Sequence, residues 1–229
     1  MTRYFVGLDL GQAADYTAIS AIEVRPTPYT VQHEDRDPET RRLRTVDTTF
    51  ESIPLTHHVR HLERLPIGTP YPEQVARVKE IMARLPPGTD LIVDNTGVGR
   101  AVTDMLFLEG LTPVCITITG GDTVNRDGPY FRVPKRDIVG ELAVSLQNKR
   151  LKIAAALPDA ETLINELLAF KVKVNLKTAH DSYEAWREGD HDDLVLSVGM
   201  AVWAATWYYS QQTGDDIVVI DEPVSISPV

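Results

Sequence analysis

Two short apolar runs open the chain, Tyr4–Leu10 and Thr17–Val24, with GQAADY between them. They predict a strand, a tight turn and a second strand folded back on the first. Residues 25–43 are polar and proline-bearing without a sustained period, which predicts a long loop or the extended tip of a hairpin. Alternation resumes over Arg44–Leu55 through Val46, Thr48, Phe50 and Ile53, and predicts a third strand completing an antiparallel meander. From Tyr71 to Leu85 the period lengthens. Val75, Val78, Ile81, Met82 and Leu85 fall on one face of a helix, and Pro72 sits in its first turn, where no amide bond is lost.

The next segments alternate in type. Asp90–Asp94 is a continuous apolar strand of the kind buried on both faces, NTGVG turns it into a helix from Arg100 to Glu109, and Pro113–Thr119 is another strand. Gly120–Phe131 is a glycine- and asparagine-bearing loop, long enough to be functional. Val133–Lys149 predicts a helix with Ile138, Leu142 and Leu146 inward, followed by a short strand at Leu151–Ala154. Asp159–Ala169 predicts a helix capped by Asp159, with Glu161 in its first turn. Lys171–Lys177 alternates as a half-exposed strand with a basic outer face, and Ser182–Trp186 is its expected hairpin partner. Asp192–Tyr209, rich in Ala, Val and Trp, predicts a largely buried final helix. Strands interleaved with helices after an antiparallel meander give an α/β fold with a central mixed sheet flanked by helices. One domain over 1–212 and an acidic tail over 213–229 are expected.

Composition narrows the setting. A hydrophobic fraction of 43% supports a real core, and no apolar run approaches the ~18 residues a membrane span needs. The strand pattern begins at once, without a signal-peptide core, and the single Cys115 lies in the apolar PVCITI run. Both point to a reducing cytoplasm and to no membrane partner. A net charge of −10 argues against binding nucleic acid by bulk electrostatics, although residues 126–152 and 171–177 are locally basic.

Asp9 stands inside the first apolar run, where a carboxylate costs several kcal/mol unless something pairs with it. Asp94 ends the strand after the first helix, and Asp192 and Asp193 open the last helix. Acids at strand ends and at a helix N-terminus can converge at one edge of a sheet, where the helix dipole favours the anion. Such a cluster repels itself unless cations occupy it, and hard oxygen donors suit two Mg²⁺ or Mn²⁺ ions, which would activate a water and stabilise a leaving oxygen. Asp94 read alone is a turn cap, and Asp192 or Asp193 alone a helix N-cap.

The runs GLDLGQAADYTA, VDNTGVG, VPKRDIV and GDHDDLVLSVGMA occur in the order found in the nuclease domain of tailed-phage large terminase subunits, and from Tyr4 to Tyr209 the chain resembles that family. The resemblance implies an RNase H-like fold and a metal-dependent endonuclease cutting double-stranded DNA, with Asp9, Asp94 and the Asp192–Asp193 pair holding two ions. Asp193 ranks ahead of Asp192, since neighbours on a helix point about 100° apart and one faces the ions. It further implies His191 as an auxiliary ligand or proton relay, and Lys135 and Arg136 as contacts to DNA phosphate. Portal, small terminase subunit and an ATPase motor become the expected partners. No G-x-x-x-x-G-K-[ST] run occurs, so the motor is expected on another chain or a missing N-terminal domain. Two alternatives stay open. DLGQ and DNTGVG also resemble the phosphate loops of sugar kinases and actin-like ATPases, and a non-cutting domain that binds DNA or a partner would carry the same core.

Overall fold

A computed structural model describes residues 2–11, 15–26, 29–37, 40–50, 55–97, 99–176 and 192–212. The elements, in chain order, are β1 (Arg3–Asp9), β2 (Thr17–Pro26), β3 (Tyr29–Arg36), β4 (Leu43–Phe50), β5 (Leu55–Leu65), α1 (Tyr71–Arg84), β6 (Asp90–Asp94) and α2 (Gly99–Leu108). There follow β7 (Val114–Thr119), β8 (Asn125–Asp127), β9 (Tyr130–Pro134), α3 (Lys135–Gln147), β10 (Leu151–Ile153), α4 (Ala160–Leu176) and α5 (Asp193–Gln212).

Eight strands form one mixed sheet in the order β10-β5-β2-β1-β6-β7-β9-β8. β1, β2 and β5 make the antiparallel meander, while β6 and β7 continue it parallel to β1. A meander with parallel strands added on the β1 side is the central mixed sheet of an α/β fold that the order of elements predicts. Helices cover both faces. Val6, Leu8, Leu91 and Val93 pack with Val75, Val78 and Ile81 of α1 and Val102 and Leu106 of α2. The alternate residues Phe5 and Ile92 join the larger core built on α3, α4 and α5. Successive strand residues point to opposite faces, so this assignment fixes the direction of every residue on β1 and β6.

Two expectations need correction. Arg44–Leu55 is not the third strand of the meander: Leu43–Phe50 pairs with Tyr29–Arg36 in a separate two-stranded sheet. The third strand is β5, whose sequence LTHHVRHLERL hides its pattern. His57 points inward, and the register slips between Ala21 and Ile22 of β2, leaving Arg60 as an extra residue that breaks the alternation. The second correction concerns Lys171–Lys177: its described part, Lys171 to Leu176, is not a strand but the end of α4. Six alternating residues fit either period, and extending a helix already formed adds one hydrogen bond per residue. Within Gly120–Phe131, Asn125–Asp127 forms β8, paired antiparallel with β9. Ser182–Trp186 and the tail beyond 212 lie outside the described residues.

Polar groups are buried among the apolar ones, Thr17, Ser20, His57, Ser145 and Ser197 among them. Cys115 is buried, as expected, and burial pushes its thiol up to about 11. His57 is 3% exposed, with Nδ1 2.9 Å from Ser145 Oγ. Burial, then Arg150 and His58, push its pKa down to about 4. Toward the C-terminal end of α5, Trp203 and Trp207 stack at 5.7 Å and meet Phe131 edge-on at 5.8 Å. No described helix is long and apolar enough to cross a membrane.

Candidate functional site at the C-terminal ends of β1 and β6

The site begins with the register of two parallel strands. Leu8 of β1 pairs with Val93 of β6 as the last rung of the ladder, and Asp9 and Asp94 are the residues that follow on the two strands and end them. Adjacent strands lie about 4.8 Å apart. Alternation then gives both acids one direction. Asp9 follows Phe5 and Gly7 in period two, Asp94 follows Ile92, and these residues face α5.

α5 crosses that face in the opposite sense to β1. Near its C-terminus Tyr208 meets Phe5 at 5.9 Å between ring centroids and accepts a hydrogen bond from Arg3 Nη1 at 2.9 Å. Farther up, Ser197 Oγ donates to the Gly7 carbonyl at 3.0 Å and lies 2.7 Å from Ser20 Oγ. There the helix backbone approaches β1 so closely that only glycine fits: a Cβ on Gly7 would overlap the Ser197 carbonyl. One turn beyond Ser197, α5 begins with Asp193, which is 7% exposed. The helix therefore starts at the end of the sheet where β1 and β6 finish. Asp192 precedes it, and its carbonyl accepts the Leu196 N–H at 2.9 Å.

The turn after β6 is fixed by Asp94 itself. Its Oδ1 accepts the Thr96 N–H at 2.8 Å, the Asx-type turn that an aspartate in this position makes on its own. Gly97 takes φ +66°, and a Cβ on Gly99 would collide with the Asp94 carbonyl. On the other side of the site, Thr17 Oγ1 accepts the Gly11 N–H at 3.1 Å and donates to Gln74 Oε1 at 3.0 Å, closing the β1–β2 turn onto α1.

Glu166 of α4 is an acid that sequence reasoning missed. Its side chain is 6% exposed, Oε1 accepts from Arg64 Nη1 at 3.1 Å, and Oε2 accepts the Val195 N–H at 3.1 Å. Burial pushes its pKa up to about 7. The Val195 bond and Arg64 work against that rise, while Asp193 and Asp192 add to it. The available signal was positional, because Glu166 lies on the inward face of α4 with Leu163 and Leu167, where an acid is out of place.

The remaining expected residues fall as follows. Lys135 opens α3 directly after Pro134, beyond the rung that aligns Phe131 with Ile116 and Asp94, and so at the same end of the sheet. Arg136 is committed to Asp122, donating to its carboxylate and, at 2.8 Å, to its backbone carbonyl. His191 lies outside the described residues. Buried carboxylates at one end of the sheet are the hard donors that Mg²⁺ or Mn²⁺ takes. Among the described residues, no group of three or more His, Cys, Asp or Glu side chains is drawn together around one cation position.

No family model matches the chain, and no match is found among curated proteins. Among solved structures it is similar to the large terminase nuclease from thermophilic phage G20c, at 20% sequence identity and a TM-score of 0.49, over 87% of this chain and 81% of that one.

Proposed function

We propose that the chain is a metal-dependent endonuclease that hydrolyses phosphodiester bonds of double-stranded DNA, in the manner of a terminase nuclease. The observation that supports this is that three acid-bearing elements share one end of the sheet: β1 and β6, neighbouring parallel strands, end in Asp9 and Asp94 on the side facing α5, and α5 opens at that end with Asp193. The terminase motifs quoted above add the substrate class. Motor, portal and small terminase subunit would be its partners in that setting.

Asp9, Asp94 and Asp193 would hold two divalent ions, with Asp192 beside them; the ions supply Lewis-acid polarisation of the scissile phosphate. The chain's own groups do the rest. The α5 N-terminus turns its positive dipole end toward the acids and toward any phosphate brought there. The Asx turn at Asp94 fixes one of its carboxylate oxygens at the end of β6. Lys135, at the head of α3, is the cation expected to meet the DNA backbone.

The test is nicking of supercoiled plasmid by the full chain with Mn²⁺ or Mg²⁺, beside Asp9→Ala, Asp94→Ala and Asp193→Ala. Each substitution is expected to abolish nicking while the circular dichroism spectrum persists. Intact plasmid with both metals would reject the nuclease, and full activity in any variant would remove that residue from the site.

A further inference from the structure

Arg64 reaches two acid-bearing parts of the fold at once. It lies near the C-terminal end of β5, opposite Ala18 of β2. Its guanidinium carbon sits 3.9 Å above the centre of the Tyr16 ring, at the end of the turn that follows Asp9. Its Nη1 donates to Glu166, and Glu166 in turn accepts the Val195 N–H. Val195 is the third residue of α5, so Glu166 does from a neighbouring helix what an N-cap side chain ordinarily does from its own.

We infer that Arg64 and Glu166 are positioning residues that set the first turn of α5 against the β1–β2 turn, and through these the placement of Asp193 relative to Asp9. This rests on the nuclease reading for its consequence, though not for its geometry.

A purely structural role explains the pair poorly. A buried ion pair is on average no more stabilising than apolar residues of the same volume. Here the acid also stands within electrostatic reach of Asp192 and Asp193, which oppose its ionisation. Packing alone does not call for an acid in that position. An arginine instead supplies two directional contacts in one rigid plane, a ring face and a carboxylate, which a lysine does not. Two elements far apart in sequence are thereby held in register by one side chain.

The experiment uses the full chain and the variants Arg64→Met, Glu166→Ala and Glu166→Gln. Met keeps the stem that packs on Tyr16, and Gln keeps an oxygen for Val195. Hydrogen exchange at the Val195 amide is the first readout. It is expected to speed up in Arg64→Met and Glu166→Ala and to recover in Glu166→Gln; unchanged protection in the first two overturns the inference. Mn²⁺ affinity without DNA is the second, expected to fall about 10–100-fold in the same two variants. With Mn²⁺ saturating, their kcat for nicking is expected to stay near wild type. Faster Val195 exchange with unaltered Mn²⁺ affinity would reduce the pair to a packing contact and overturn the positioning role. A wild-type chain that binds no Mn²⁺ would reject the nuclease reading alone, and Val195 exchange would still decide the tie.

Discussion

Gly7→Ala is the sharpest single test of how α5 is seated. The added Cβ would lie 2.8 Å from the Ser197 carbonyl carbon, closer still to its oxygen, and 3.1 Å from Ser20 Oγ. Carbon atoms in ordinary contact sit about 3.5–4.0 Å apart, so the helix backbone must retreat by roughly 1 Å. Overpacking of this kind costs about 1–3 kcal/mol, and loosening the Ser197 hydrogen bonds to Gly7 and Ser20 adds about 1 kcal/mol. A loss of about 2–4 kcal/mol follows, or a Tm lower by roughly 4–16 °C for a domain of this size. Thermal and urea unfolding of the full chain measure it. Gly140→Ala in α3 is the contrast, because nothing lies within 4 Å of its added Cβ. It should stabilise by about 0.5–1 kcal/mol through helix propensity alone. Since Gly7 is two residues from Asp9 and Ser197 four from Asp193, nicking should also fall in Gly7→Ala at temperatures where the variant remains folded. A Gly7→Ala protein within about 0.5 kcal/mol of wild type would refute the close approach of α5 to β1.

Two further outcomes bear on the core. His57 is held neutral with a folded pKa of about 4, below its unfolded value of 6.5, so between those pH values the unfolded chain binds more protons and stability falls as the solution is acidified. The loss attributable to this group begins below pH ~6.5 and approaches about 3 kcal/mol near pH 4; His57→Gln should flatten that part of the curve in urea titrations, and an unchanged slope would refute it. Trp203→Ala removes the stacked partner of Trp207 and the edge contact with Phe131, and should cost about 3–5 kcal/mol in the same assay, whereas a cost under about 1 kcal/mol would deny that cluster its place in the core.

Where hydrophobic period and residue type agreed, the elements were legible from the sequence. DLIVD is the strand β6 residue for residue, and the stripe from Val75 to Ile81 is the buried face of α1. β5 was not legible, because its inward histidine and its bulge come from pairing with β2, and pairing is not written in a local window. The same holds at the site. Asp9 was visible as an acid inside the first apolar run and Asp94 as one ending a later strand, but their common face depends on the parallel register of β1 with β6. Glu166 was invisible for a related reason: it matters through Arg64 and Val195, 102 and 29 residues away in sequence.

The margins of the eight-stranded sheet have a consequence for how the molecule behaves in concentrated solution. Its outermost strands, β10 and β8, are three residues long, and all of β8 (Asn125, Arg126, Asp127) is polar and exposed. A stub of that length offers an incoming chain few free amides and carbonyls, and the charges on β8 resist desolvation. Strand-by-strand stacking of one copy onto the next is thereby discouraged at both borders, and the wide hydrophobic interior remains compatible with a protein that does not polymerise through its sheet.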